Sequence, residues 1–372
     1  MIYFDNAATT RVHESVQDVF TQVNTNYFAN PNSLHALGVQ ANHLLERSRE
    51  QFANLLNVPK GTIYFTGSGT ESNNTAVLGS AFAKQGKHII TTQVEHPSVT
   101  NTVRFLEKMG YDVTFLPVDE CGVVAVDDVK NALRDDTVLV SVMWVNNEVG
   151  AVQPIAQIAT LLERYPTIHF HVDAVQALEQ VLKEGIPERV DLLSLSAHKF
   201  HGMRGVGVLY KKLGRVIEPL LHGGNQEHKL RSGTQNTPAI VASAKALREY
   251  KENTATTQPI KSALKAYLNT LDKVVVLSSD ESANHVLTFA MPGVRGEVMV
   301  HALAEKGIYI STTSACSSKV KSNHHTLSAM GVDSKVSQCA VRMSFSKDNT
   351  LEEVEQFKVV FDELYARFLK VV

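Results

Sequence analysis

Between residues 60 and 200, short apolar or β-branched runs take turns with stretches whose apolar positions recur every three or four residues. The runs are TIYFTG (62–67), HIITTQVEH (88–96), DVTFLPVD (112–119), TVLVSVMWV (137–145), IHFHVDAVQ (168–176) and DLLSLSAHK (191–199). Each has the length and residue types of a buried strand. Leu45, Ser48, Phe52 and Leu55 show helical spacing ahead of the first run, and ESNNTAVLGSAF resumes it just after a glycine-rich turn. This alternation predicts a largely parallel sheet covered by helices. The pattern changes near residue 250. YKENTATTQP is polar and ends in proline, and the shorter strands beyond it (KVVVLSS, HVLTFAMP, GIYISTTS, VRMSFS) are mixed with helices, which predicts a smaller α+β domain. The chain shows no internal repeat and no low-complexity segment.

Composition narrows the function classes. With 372 residues and a hydrophobic fraction of 44% the chain is long enough for a sizeable core. Lys plus Arg (36) nearly balances Asp plus Glu (38), leaving a net charge of -2 and no basic block of the kind that nucleic-acid arms carry. Direct nucleic-acid binding is therefore not expected. The N-terminal MIYFDNAATTRVHES lacks a signal-peptide profile, and no apolar run approaches the roughly 20 residues that span a bilayer. A cytoplasmic protein without a membrane partner is expected. Cys121, Cys316 and Cys339 have neither CxxC spacing nor an even number, so free thiols are expected.

In open α/β sheets ligands bind at the carboxyl ends of strands, and that is where the unusual residues of this chain fall. GSGTESNN places Ser68, Gly69 and Thr70 where a strand turns into a helix, an anion cradle of modest specificity. Ser72 stands where a dinucleotide fingerprint would have its third glycine, and the Gly-Lys of a Walker A loop is absent. The same turn reads equally well as one that merely needs glycine. Asp173 closes an apolar strand, where a carboxylate calls for a cationic or hydrogen-bonding partner; a helix cap or a buried ion pair would also account for it. Lys199 closes another strand before the glycine-bearing loop HGMRGVG. It reads either as a nucleophile towards carbonyls or as a lysine reaching to solvent. His169 and His171 flank Phe170 and are assigned no role. His96, His198 and His201 form a candidate zinc set, but no HExxH or cysteine cluster supports it, so no metal is expected.

The conjunction of a phosphate cradle, a strand-end Asp, a strand-end Lys and a histidine able to lie over a ring is the kit that pyridoxal phosphate requires. At this point nine motifs, YFDNAATT, FANPNSLH, TGSGTESNN, VEHPSV, VNNEVG, HVDAVQ, SAHKFHG, RSGTQN and TSACSS, occur in one order and resemble those of the cysteine desulfurases of the class V aminotransferase group. The resemblance runs from the first residues to about residue 346. It implies a fold type I pyridoxal-phosphate-dependent transferase of the α/β class. A mostly parallel seven-stranded sheet between helices would form the large domain (14–252), with a small α+β domain built from 1–13 and 253–372. It implies that Lys199 is the Schiff-base lysine, that Asp173 partners the pyridine nitrogen and that His96 stacks on the ring and assists proton transfer. Asn147 and Gln176 match residues that hydrogen-bond the ring substituents. Gly69, Thr70, Ser196 and His198 match the phosphate site, and Thr234 one that reaches the phosphate from the other subunit of a homodimer. Arg342 matches the arginine that grips the substrate carboxylate, for which its forked guanidinium is suited.

Cys316, set among Thr, Ser and Ala with little to pack against, matches the family's persulfide-forming thiol. The implied activity is conversion of L-cysteine to L-alanine, with sulfur passing to Cys316 and on to an acceptor protein, either a tRNA thiolation enzyme or an iron–sulfur scaffold. Departures qualify the resemblance. Thr313 replaces a common glycine, and Met203 and Arg204 replace Pro-Lys in HGPKG. The stretch after the thiol is basic (Lys319, Lys321, His324, His325) and lacks a Leu-Glu-Pro-Ser run, and the chain ends at LYARFLKVV without an extended tail. These departures favour a dedicated acceptor such as a tRNA thiolation enzyme. Selenocysteine lyase and simple aminotransferase remain as alternatives within the class. A nicotinamide-dependent oxidoreductase would leave Lys199 and Cys316 unexplained, and a non-catalytic sulfur adaptor would be expected to have lost Lys199 or Asp173.

Overall fold

The computed structural model describes residues 1–313 and 325–370. Strand β1 (Ile2–Tyr3) belongs to the C-terminal part of the fold, where it pairs in parallel with Ile308–Tyr309. The main sheet has seven strands: β2 (Ile63–Thr66), β3 (His88–Thr92), β4 (Asp112–Leu116), β5 (Thr137–Met143), β6 (His169–Asp173), β7 (Leu192–Ser196) and β8 (Gly207–Lys211). Their order is β2-β8-β7-β6-β5-β3-β4, and β7, β6, β5, β3 and β4 run parallel. Only β8 is antiparallel to its neighbours β2 and β7. The interior strands β3, β5, β6 and β7 are buried along their whole length, as a sheet covered on both faces requires.

Six of these strands lie inside the apolar runs of the sequence; β8 does not. GVGVLYK opens with glycine and follows HGMRG, so its pattern reads as a loop. The reason for the glycine is local crowding. A Cβ on Gly207 would fall 2.2 Å from the Ser68 carbonyl oxygen and 2.3 Å from Thr66 Oγ1, so only glycine lets β8 lie against the end of β2.

The helices follow their apolar stripes. α1 (Glu14–Asn26) and α2 (Ala36–Leu55) pack against the helix Thr237–Glu252, with Leu45, Phe52 and Ala53 of α2 buried in the main core. α3 (Gly69–Phe82) follows β2, and Ser68 caps it by accepting the Glu71 amide. α4 (Pro97–Lys108) follows β3 and buries Val99, Val103 and Leu106, positions i, i+4 and i+7. A second sheet, in the order Ser311–Thr312, Ala340–Ser344, Val286–Ala290, Val275–Val276, packs with the helix Leu351–Phe368 around a separate core that includes Phe289, Phe357 and Phe361. The polar stretch 253–257 links the helix Thr237–Glu252 to Gln258–Leu268, which takes Pro259 in its first turn. No helix among the described residues is long and apolar enough to cross a membrane.

One tertiary tie holds the edge of the sheet. Arg49 on α2 grips the buried Glu227 in a fork, Nη1 to Oε2 at 2.6 Å and Nη2 to Oε1 at 2.9 Å, and Glu227 also accepts the Phe65 amide of β2 at 2.8 Å. Glu227, His228 and Lys229 all adopt positive φ, a conformation that non-glycine residues hold only when their surroundings impose it. Arg49→Met should therefore lower stability by about 3–5 kcal/mol, the range for stranding one partner of a buried ion pair. Adding Glu227→Gln should recover part of the loss, since the amide oxygen still accepts from Phe65. Urea unfolding of the two variants checks both statements, and equal losses would mean that the carboxylate is not left stranded.

Candidate active site

The carboxyl ends of the parallel strands open into a cavity of about 740 Å³. Each strand end delivers one part of its wall. The turn after β2 gives Ser68, Gly69 and Thr70; the end of β3 gives Glu95 and His96; the loop after β5 gives Asn147 and Glu148; β6 ends in Asp173, followed by Gln176; and the end of β7 gives Ser196, His198 and Lys199. Arg342, from the second sheet, and Ala7 and Ala8, from the N-terminal segment, close it from the other side.

Lys199 is half-buried and turns inward. Its Nζ donates to the carbonyl oxygens of Ala7 at 2.6 Å and Ala8 at 2.9 Å, and Gln176 Nε2 donates to the same Ala7 oxygen at 2.9 Å. Asp173 is buried, and the donors that meet it are neutral: Asn73 Nδ2 at 2.8 Å on one oxygen and the Val175 amide at 3.0 Å on the other. It caps no helix, because the next one begins at Leu178. His96 is the N-cap of α4 and accepts the Ser98 amide on Nδ1. Burial, with Lys199 acting in the same direction against the pull of Asp173, holds its imidazole below the usual histidine range.

The cradle at the start of α3 is tight. A Cβ on Gly69 would lie 2.9 Å from Val175 Cγ2 and 3.1 Å from Ser196 Cβ, and the Gly69 amide approaches Ser196 Oγ at 3.4 Å. Glycine is thus needed here for close approach. His198 Nδ1 lies 3.2 Å from Thr9 Oγ1, and burial with the nearby Lys199 and Arg204 pushes this imidazole down to about 4. Arg342 is buried; Nη1 donates to the Asn147 carbonyl at 2.9 Å and Nη2 to Asp5 Oδ1 at 3.0 Å, while Nε has no hydrogen-bond partner among the described residues. The Arg342 carboxylate partner Asp5 is pushed up by burial, partly offset by Arg342 itself.

Among the cavity residues that fall outside the sequence-based assignment, Asn73, Glu95 and Glu148 stand apart. All sit within quoted motifs, but nothing in their spacing sets them apart. What distinguishes them is an orphaned buried oxygen each, Asn73 Oδ1, Glu95 Oε2 and Glu148 Oε2. Burial raises Glu95 to about 8, against the hydrogen bonds it accepts from Met143 and Thr92, and raises Glu148 to about 7, against Thr326 and Arg342. Two carboxyls are thus held towards their neutral forms in a cavity that already contains Asp173.

Glu95 makes a prediction about pH. Its folded-state value lies above its ordinary value of 4.5, so between about pH 4.5 and 8 the folded chain binds more protons than the unfolded one and loses stability as pH rises. Glu95→Gln, which keeps an acceptor for Thr92 and Met143, removes that slope. Its thermal midpoint should exceed that of the parent at pH 8 and match it more closely near pH 5. A midpoint at pH 8 below the parent's would show that Glu95 is ionised and satisfied.

The candidate zinc set does not converge among the described residues. His96 and His198 are engaged as above, and His201 Nδ1 meets the Arg11 carbonyl at 2.8 Å while its ring stacks on His13 at 4.1 Å, near Asp348. His169 and His171 are core histidines bonded to Ser80, Ser141 and Ser194. Thr234 is exposed and does not line this cavity. Cys316, Lys319, Lys321 and His324 lie outside the described residues.

Pyridoxal phosphate fits what is present. A helix N-terminus with Ser196 and His198 suits a dianion, Asp173, whose side-chain donors among the described residues are neutral, suits a protonated ring nitrogen, and Lys199 shares their cavity. Comparison with known proteins agrees. Residues 2–357 match the family Aminotransferase class-V. A NifS/IcsS protein homolog of Lactobacillus delbrueckii is 50% identical over all of this chain and 99% of its own. A cysteine desulfurase IscS of Methanosarcina thermophila is 40% identical over 98% of this chain and 91% of its own. The solved structure of a NifS-like protein superposes with a TM-score of 0.91 at 38% identity, covering 98% of this chain and 99% of the other. With that span of agreement behind the geometry, the chain belongs to the class-V aminotransferase family, among its pyridoxal-phosphate-dependent, NifS/IscS-like cysteine desulfurases.

Proposed function

We propose that the chain converts L-cysteine to L-alanine and carries the released sulfur on Cys316 to an acceptor protein. The observation that carries the reading is the convergence of Lys199, Asp173 and the Gly69–Ser196–His198 cradle on one cavity whose far wall holds a buried arginine. Bound pyridoxal phosphate supplies an electron sink for a carbanion at the substrate's Cα. The chain's residues do the rest. Gly69, Thr70, Ser196 and His198 hold the phosphate, Asp173 keeps the ring nitrogen protonated, and Asn147 and Gln176 hold the ring substituents. Arg342 takes the substrate carboxylate, for which its forked guanidinium is suited; its buried Nε has no hydrogen-bond partner among the described residues.

Lys199, released from the carbonyls of Ala7 and Ala8, moves the α-proton. The Cys316 thiolate then attacks the substrate sulfur, so that an S–S bond forms as the C–S bond breaks and the electron pair returns to the carbon side. Protonation there yields alanine. A second thiol, on the acceptor, removes the sulfur from Cys316.

We also propose a homodimer in which Thr234 reaches the partner's phosphate. Phe28 and Leu34 are exposed at 74% and 98%, with Leu37 and Val39 nearby, an apolar stretch that a second copy would cover. The basic segment after Cys316 supports a dedicated acidic acceptor surface, in line with a tRNA thiolation enzyme rather than a general iron–sulfur scaffold.

Purified protein with pyridoxal phosphate and L-cysteine should release alanine and sulfide in equal amounts when a thiol reductant is present. Without reductant, alanine should stop after about one turnover per site. Formation of pyruvate or an oxo acid in place of alanine would overturn the reading in favour of a simple aminotransferase or lyase.

A further inference from the structure

Between β8 and the helix Thr237–Glu252 the chain crosses residues 212–236, where the regular structure is a four-residue 3-10 turn, Gln226–Lys229, and a single bridge between Leu221 and Arg231. So long a connection keeps its shape through side-chain ties. Arg49 holds it at Glu227, and Gln235 Nε2 donates to the same carboxylate at 3.3 Å. A second tie lies closer to Thr234. Arg231 Nε donates to Glu71 Oε1 at 2.8 Å and Nη2 to Oε2 at 3.4 Å, while the Gly67 amide donates to Oε2 at 2.8 Å. A Cβ on Gly67 would fall 2.7 Å from Glu71 Oε2, so the ion pair is seated directly against the turn after β2. From Arg231 the hold continues towards Thr234: Ser232 Oγ donates to the Gly224 carbonyl at 2.8 Å, and the Gly233 amide donates to Gln226 Oε1 at 3.1 Å.

The position of Glu71 needs a reason. It stands in the first turn of α3, next to Thr70, where its charge opposes a phosphate at the same helix N-terminus. It does not line the cavity, and its carboxylate is taken up by the Gly67 amide and the Arg231 guanidinium. We propose that Glu71 and Arg231 are positioning residues for the partner's site: through this ion pair, the turn that forms one protomer's cradle sets the Thr234 segment against the phosphate of the other. The inference rests on the homodimer proposed above and adds which groups hold Thr234 in place. Glu71 then has two effects of opposite sign. Its charge weakens phosphate binding in its own protomer, and its grip on Arg231 strengthens binding in the partner.

The test is a dimer of two differently tagged chains, co-expressed and purified through both tags, in which one chain carries Lys199→Ala. Borohydride then fixes pyridoxal phosphate only in the chain that keeps Lys199, so titration of the fixed cofactor reads the affinity of one site without turnover. Glu71→Gln keeps an acceptor for the Gly67 amide and removes the ion pair. Placed on the Lys199→Ala chain, it should weaken the remaining site about three- to tenfold, up to the loss of one hydrogen bond to a charged group. Placed on the chain that keeps Lys199, it should leave that site as tight as in the parent or tighter. Thr234→Ala should likewise act from the Lys199→Ala chain, with a loss of about tenfold. A role confined to folding would weaken both arrangements alike. Equal loss in both arrangements, loss only in the chain's own site, or no loss in either would overturn the inference. If Thr234→Ala acts across the dimer and Glu71→Gln does not, this inference fails and the homodimer reading stands. A monomeric chain, or Thr234→Ala acting within its own protomer, removes both.

Discussion

Lys199→Ala should form no detectable alanine from L-cysteine. The change removes in one step the amine that would bond the cofactor and the group that would move the α-proton, and loss of both roles should lower the rate by more than about 10⁴-fold. Cofactor uptake should persist at reduced affinity, because the Gly69 cradle, Ser196, His198 and Asp173 are untouched. The loss should therefore be one of turnover, visible as a protein that still takes up pyridoxal phosphate and yet is idle. In the parent protein, borohydride reduction followed by peptide mapping should place the cofactor on Lys199. Among the described residues no other lysine lines the cavity; Lys84 and Lys261, for example, bond the Thr167 carbonyl and Ser282 with Ala283. Label on any lysine other than Lys199 would remove the assignment.

Much of this site was legible before any coordinates because parallel strands announce themselves and their carboxyl ends converge. An apolar run that stops at Asp173 or just before Lys199 is visible in one dimension, and topology then places both residues in one cleft. Two ambiguous positions were resolved by packing. Lys199 turns inward to the Ala7 and Ala8 carbonyls, an interaction across 192 and 191 residues of sequence. Gly69 is there because Val175 and Ser196 leave no room for a Cβ.

What stayed hidden is what only the assembled fold creates. The Glu95 and Glu148 carboxyls look like ordinary acidic residues in the chain, and become unusual through burial and an unmet oxygen. Asn73 gains its meaning from meeting Asp173, 100 residues away, and Ser98. The fork between Arg49 and Glu227 joins residues 178 apart. β8 was masked by the glycines that its close approach demands. Thr234 was identified by its motif alone, and it lies outside the cavity of its own chain.

The second large effect concerns the three thiols. Cys339 is buried among Val149, Ala290, Leu327 and Met330, and serves as a small apolar side chain. Cys121 is half-buried, and burial together with the carboxylates of Asp119 and Glu120 pushes its thiol up, away from the thiolate that nucleophilic attack requires. Cys316, outside the described residues, is left as the carrier by its motif and its neighbours in sequence. Cys316→Ser should take up pyridoxal phosphate and bind L-cysteine as the parent does, since every described residue of the cavity wall is unchanged. Carbon–sulfur cleavage should nonetheless fall by more than about 10³-fold, because a serine hydroxyl is almost wholly protonated near neutral pH and cannot hold a sulfane sulfur. Cys121→Ser and Cys339→Ala should retain most of the turnover. Mass spectrometry of the parent protein, exposed briefly to L-cysteine without reductant, should find one added sulfur on the peptide that contains Cys316. Sulfur on the Cys121 or Cys339 peptide, or full alanine production by Cys316→Ser, would transfer the carrier role to another thiol or eliminate the persulfide from the reaction.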